Sequence, residues 1–158
     1  MVGLQDLIPP GDGMNLTLFT DFALRALMRL AGEPARSFAT REIAAEFGIS
    51  RDHLAKVVRD LAEGGFISTQ RGAGGGFTLA RPPEAITLGE VVRALEDRRA
   101  LVECFREDGG NCVLLPRCRL RARLAAAREA FMRELDNTTL AECAYPARSG
   151  RSQAPAVA

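Results

Sequence analysis

The stretch TREIAAEFGISRDHLAKVVRDLAEGG, from Thr40 to Gly65, constrains the fold more than any other part of the chain. Two runs with helical periodicity meet at Gly48, with almost no chain between them. Thr40 reads as the cap of a short helix, Thr40 to Phe47, and Gly48 as its stop. A second helix starts at Ser50 and carries Leu54, Val57, Val58 and Leu61 at the i, i+3, i+4, i+7 spacing that buries one face. Asp52, Lys56 and Arg59 occupy its opposite face. Two short helices joined by a tight glycine turn are the sequence form of a helix-turn-helix, whose second helix offers its outer face to the major groove. The same pattern also describes a helical hairpin in an all-α core, and these two helices alone do not choose between them.

The next segment favours the first reading. FISTQRGAGGGFTLARP is a pair of β-prone runs around the glycine-rich RGAGGG, which predicts a hairpin directly after the recognition helix and hence a wing. Arg71 at the tip and Arg81 at the exit, with no acidic residue between them, suit a wing that reaches phosphates or a narrow minor groove. A phosphate-binding nucleotide loop is the rival for these glycines. It lacks the Lys-Ser/Thr pair and does not open a helix.

Around this unit, NLTLFTDFALRALMRLAG places Leu16, Phe19, Ala23, Leu27 and Leu30 on one face of a helix that ends at Gly32, and EPARSF reads as the loop after it. In ITLGEVVRALED, Thr87 and Glu90 stand at capping-box spacing. From Arg119 a long helix runs with Leu120, Leu124, Ala127 and Phe131 in a near-heptad stripe. Such stripes are most often core, but on a helix projecting from a small winged-helix body the stripe predicts a homodimer, since two-fold DNA readers set paired recognition helices one turn of duplex apart. The expected divisions are an extension at 1–13, disordered or lying upstream of a start at Met14, a winged helix-turn-helix at 14–82, a loop and dimerisation helix at 83–143, and a disordered tail at 144–158.

With 158 residues, the chain is long enough for one ordinary domain with a real core. Its net charge of +1 is not that of a non-specific nucleic-acid binder, so DNA contact rests on local patterning. Neither a membrane span nor a secretory leader is visible, which predicts a cytoplasmic protein. No catalytic constellation can be assembled around the single histidine, so no catalytic residue and no enzyme is expected.

In a reducing compartment the loop ECFREDGGNCVLLPRCRL, with Cys104, Cys112 and Cys118, points to metal or redox chemistry rather than to disulfides. Thiolate suits iron-sulfur clusters and also zinc. The gaps of seven and five residues differ from the paired C-x-x-C knuckles of common structural zinc sites. On the residues alone, cluster and zinc stand about level, with inert buried cysteine behind. Pro116 helps fix the loop before the helix, and Cys143 lies outside the motif.

The order of these parts, from LTLFTDFALRALMRLA through the helix-turn-helix and wing to ECFREDGGNCVLLPRCRL and ELDNTTLAE, resembles the NsrR-like repressors. These nitric-oxide sensors belong to the winged-helix family that also contains the IscR regulators. The resemblance spans Met14 to Cys143. It implies a homodimer that binds double-stranded DNA at a palindromic operator while loaded with an iron-sulfur cluster. It further implies release on exposure to nitric oxide and control of nitric-oxide detoxification genes. By similarity Cys104, Cys112 and Cys118 are the cluster ligands, and the fourth ligand of a 4Fe-4S cluster falls to Asp21 of the partner subunit. IscR-like members carry a histidine where this chain has Arg121, so a histidine-ligated 2Fe-2S site of that kind is disfavoured, though 2Fe-2S remains possible.

Asp21 has a plainer reading as a first-turn acid paired with Arg25 at i+4. Asp52, Lys56 and Arg59 can equally be a solvated face. With Ser50, Arg51, His53 and Arg71 they form the candidate DNA-contact set. The resulting expectation is a mainly α protein: a winged helix-turn-helix with a small β-hairpin wing and a long C-terminal dimerisation helix. Its rivals in function are an iron- or redox-responsive regulator of the same fold and a zinc-stabilised interaction module.

Overall fold

A computed structural model describes residues 16–70, 72, 75–96, 100–115 and 117–145. In chain order it contains α1 (Leu18–Gly32), α2 (Thr40–Phe47), α3 (Arg51–Glu63), β1 (Ile67–Gln70), β2 (Gly76–Leu79), α4 (Leu88–Glu96) and α5 (Arg119–Asp136). Single 3-10 turns lie at Pro83–Ala85, Glu103–Phe105 and Ala141–Cys143.

Helix α1 starts where the Thr17 hydroxyl accepts the Thr20 N–H at 3.2 Å; of the predicted face Ala23, Leu27 and Leu30 are buried and Leu16 and Phe19 half-buried, and Ala26 joins the core beside them. Helix α2 covers the expected span, but its cap is Ala39 rather than Thr40, with no side-chain hydrogen bond. Ala39 holds the extended backbone of a cap (φ −85°, ψ 145°), whereas Thr40 already lies inside the first turn. Gly48 closes the helix at φ 65°, a left-handed conformation that costs glycine nothing and turns the chain at once toward α3. Ser50 caps α3 by accepting the His53 N–H at 3.2 Å. Leu54, Val57 and Leu61 are buried against α1 and α2, and Val58 is partly so.

The wing is antiparallel, with Ile67 opposite Leu79 and Gln70 opposite Gly76. A third backbone segment joins it. Phe38, in the stretch that sequence reads as loop, exchanges two hydrogen bonds with Phe77, at 3.0 and 2.9 Å. The wing is thereby tied to the α1–α2 connection, and the fully buried Phe38 ring belongs to the core.

Past the wing, Thr87 and Glu90 form the predicted reciprocal capping box, at 3.0 and 3.2 Å. Helix α4 then packs on α1 and α5. Its Gly89 lies so close to α5 that a Cβ there would fall 1.9 Å from Asp136 Oδ1. Helix α5 has no buried residue. Its stripe is therefore not core within this chain: Leu120 is 62% exposed, Ala127 is exposed, and Leu124 and Phe131 are half-buried. After α5 the chain returns to the winged helix, with Leu140 buried and donating to Ile86 O at 2.8 Å and the Tyr145 N–H donating to Met28 O at 2.8 Å.

Candidate nucleic-acid interface and cysteine cleft

Because Leu54, Val57 and Leu61 face the core, helical geometry turns the other side of α3 outward. Ser50, Arg51, Asp52, His53, Lys56 and Arg59 are all exposed there. Arg59 is partly engaged on its own helix by Asp60 at 3.2 Å and Glu63 at 3.9 Å. Arg51 and Lys56 make no ion pair among the described residues, so these two cations are the ones most open to phosphate. Arg71 and Pro116 lie outside the described residues. Arg81, at the wing's exit, is 40% exposed and already engaged within the chain. Its guanidinium donates to Ala85 O at 3.0 Å, pairs with Glu90 at 3.4 Å and lies over the Phe66 ring at 5.8 Å, bracing the wing's exit.

Two networks that hold this surface in place escaped the sequence reading. Arg29, on α1, is 3% exposed and pairs with Glu33 at 2.8 Å and with Glu46 of α2 at 3.0 Å. Burial acts to lower its pKa, but the two carboxylates outweigh it and the net direction is upward. Arg29 and Arg36 both contact the Phe38 ring, at 4.7 and 4.4 Å from its centroid, and Arg36 also pairs with Glu42. The i,i+4 spacing of Arg29 and Glu33 was visible in sequence; the bridge to Glu46 was not, since it crosses between helices. At the other end of α1, Glu96 accepts from the Thr17 N–H and from the Thr17 and Thr20 hydroxyls at 2.6 to 2.7 Å. Glu96 closes α4, so the start of α1 is fastened next to the approach to the cysteine loop.

Within that loop, Glu103 accepts the Asn111 N–H at 3.0 Å and so draws the neighbours of Cys104 and Cys112 together. The Gly110 N–H at 3.0 Å, with the Arg106 guanidinium at 2.8 Å adding to it, holds the Asp108 carboxyl below its usual range against the opposing effect of desolvation. Cys104 and Cys118 open on one cleft of about 940 Å3 between the loop and α5; Cys112 is not among its lining residues. Cys104, Cys112, Cys118 and Cys143 are unbridged and half-buried. Among the described residues no three His, Cys, Asp or Glu side chains are gathered closely enough to hold a metal ion. The donor set nonetheless fits a thiolate-ligated centre in its chemistry: free soft sulfurs on a single loop, two of them facing a cleft that also carries arginines. Asp21 lies on α1 and is paired with Arg25 at 2.7 Å, the plainer of its two readings. His53 is on α3, outside the cleft lining.

A helix-turn-helix whose second helix exposes Arg51, Lys56 and Arg59, followed by a hairpin wing, defines a winged-helix DNA-binding protein. More narrowly, the chain belongs to the Rrf2 family of iron-dependent transcriptional regulators, whose match covers residues 16–145. It is 46% identical over 140 residues to the HTH-type transcriptional regulator NsrR of Geobacillus kaustophilus, covering 88% of this chain and 95% of that protein. With the NsrR of Shouchella clausii it shares 41% over 128 residues, 80% of this chain and 86% of the relative. Its fold is similar to that of CymR, the global cysteine regulator of B. subtilis, with a TM-score of 0.69 and 28% identity, covering 84% of this chain and 97% of the other. IscR of T. potens shares the fold, with a TM-score of 0.65 and 24% identity over 82% of this chain and 85% of that one. These relatives are regulators of transcription, not enzymes. No helix among the described residues is long and apolar enough to cross a membrane.

Proposed function

We infer that this chain is a cytoplasmic transcriptional repressor that binds a palindromic operator as a homodimer and releases it in response to nitric oxide, under control of an iron-sulfur cluster. The observation that carries this reading is the pair of unbridged thiols, Cys104 and Cys118, facing one cleft in a chain 46% identical to a regulator named NsrR. Cys104, Cys112 and Cys118 would hold the cluster, of the 4Fe-4S type, with Asp21 of the partner subunit as the fourth ligand. When bound, such a cluster supplies iron that nitric oxide attacks.

The rest of the switch belongs to the chain. Thiolates committed to one centre draw the loop together, and the loop joins the end of α4 to the start of α5. Helix α4 is fastened to the start of α1 through Glu96, and the segment after α5 is fastened to the end of α1 through Tyr145. A change in the loop therefore reaches both ends of the helix that supports α2 and α3, and the spacing of two recognition helices follows. For Asp21 to serve as a ligand, Arg25 must share or release its carboxylate.

The test is anaerobic. Freshly purified protein is analysed for iron, sulfide and zinc, titrated with nitric oxide while its visible absorption is followed, and then assayed on operator DNA at one fixed salt concentration. Loss of the thiolate-iron absorption together with loss of operator binding is the expected result. Equal operator affinity of loaded, cluster-free and nitric-oxide-treated protein would end the switch and leave a winged-helix DNA binder. A thiol-redox regulator of the same fold is the second reading, favoured by the 28% identity to CymR and by the free cysteines. It predicts operator affinity that follows thiol oxidation in metal-free protein.

A further inference from the structure

The cleft that exposes Cys104 and Cys118 is walled by one stripe of α5: Arg121, Ala122, Ala125, Arg128, Glu129 and Met132. Arg121 and Arg128 are seven residues apart, so their Cα atoms stand roughly 10 Å from each other along the helix, with the small Ala125 between them. Two further guanidiniums reach the cleft but are already balanced: Arg93 by Asp136, at 2.6 Å, and Arg106 by Asp108, at 2.8 Å. Glu129 is the one carboxylate in the lining. Arg121 and Arg128 have no ion pair among the described residues, and Arg121 lies over the Phe105 ring, 5.9 Å from its centroid. Even after Glu129 is set against them, the cleft keeps an excess of positive charge.

Helix stability does not favour Arg121 where it stands. Arg121 stands in the first turn of α5, which has no acid and whose cap residue makes no side-chain hydrogen bond. Cations at a helix N-terminus oppose the macrodipole. An anionic occupant beside the two sulfurs would offset that cost for Arg121 and would also meet the unpaired charge of Arg128. A guanidinium remains charged and has no lone pair to give, so it cannot be a metal ligand; its contribution is charge.

We propose that Arg121 and Arg128 are the charge-compensating residues of the cysteine centre, positioning side chains that offset the negative charge of a thiolate-ligated cluster without bonding to it. This rests on the reading of the loop as a cluster site. Positive charge beside such a centre favours its reduced, more negative form and so raises the reduction potential. It also retards loss of the centre to a chelator.

The experiment uses the full-length protein, reconstituted anaerobically, as wild type, Arg121→Gln, Arg128→Gln, the double variant, and Arg121→Lys with Arg128→Lys. Arg123→Gln is the control, since Arg123 is on α5 but not in the cleft lining. Iron and sulfide contents come first, followed by a redox titration read by visible absorption and the rate of bleaching by a ferrous chelator. The expected result is a shift to lower potential and several-fold faster bleaching in each glutamine variant, additive in the double variant, with lysine restoring both and the control unchanged. Glutamine variants that fail to retain any cluster while the lysine variant retains it would also support the proposal. Glutamine variants with wild-type potential and bleaching rate would overturn it, as would lysine behaving like glutamine. If the wild type takes up no iron or sulfide, the cluster reading and this inference both fall; if it does and the variants match it, this inference alone falls.

Discussion

Single side chains decide how firmly the reading surface is presented. Arg29 is the clearest case, because its buried guanidinium is the charged contact between α1 and α2 and also packs on Phe38. Replacing it with methionine strands Glu46 and removes the cation from the ring. The carboxylates are partly exposed, so the expected loss is about 1–3 kcal/mol, below that of a fully buried pair. Urea denaturation should show a lower midpoint at an unchanged slope. On α3, Lys56 is exposed and free of ion pairs among the described residues, the condition for a phosphate contact. Lys56→Gln should weaken operator and non-operator DNA alike and lower the slope of log affinity against log salt by ~1. An unchanged slope would remove Lys56 from the interface.

At the level of elements, the packing of α4 on α5 is the contact most exposed to a small change. A Cβ at position 89 would meet Asp136 Oδ1, and the carboxylate it would displace is the one that receives Arg93. Gly89→Ala should therefore cost about 1–3 kcal/mol as an over-packed contact, seen as a lower Tm, while leaving the helical content near that of wild type. The same ion pair has a pH signature. The Arg93 hydrogen bond, with the charge of Arg93 behind it, holds the Asp136 carboxyl below its usual range against the opposing effect of desolvation. A folded-state pKa below the unfolded one stabilises at pH values above the ordinary aspartate value of about 3.9, and that contribution is lost as the pH falls through the folded value. The acid limb of stability should be shallower in Asp136→Asn than in wild type. Because the pair is exposed, the difference should also shrink at high salt.

For the whole molecule, the decisive feature is a helix whose stripe is only partly covered within one chain. An 18-residue α5 with no buried residue and Leu120 62% exposed is the surface that the proposed homodimer would cover. Leu120→Glu should shift the protein toward monomer in sedimentation velocity and weaken operator binding by at least tenfold, while α1 to α4 keep their thermal transition. A dimer that survives this change would place the two-fold contact elsewhere.

Much of this architecture was legible in local signals. The glycine turn at 48, the Ser50 cap, the Thr87–Glu90 box, the hairpin and the long helix from Arg119 each depend on neighbours within a few residues, so propensity and periodicity reach them. The loop cysteines were legible as chemistry for the same reason, since residue type alone makes them soft donors. What local pattern could not supply were contacts between residues far apart in sequence. Phe38 joins the wing only because Phe77 lies opposite it, Arg81 is engaged at the surface because Glu90 and Phe66 are within its reach, and Arg29 is buried where α2 brings Glu46 across. Thr40 lost its role as cap by one residue, a margin that backbone dihedrals settle and composition does not. The arginine wall of the cysteine cleft is of the same kind: its stripe on α5 can be written from helical spacing, but that it faces Cys104 and Cys118 is a fact of how the loop folds back on that helix.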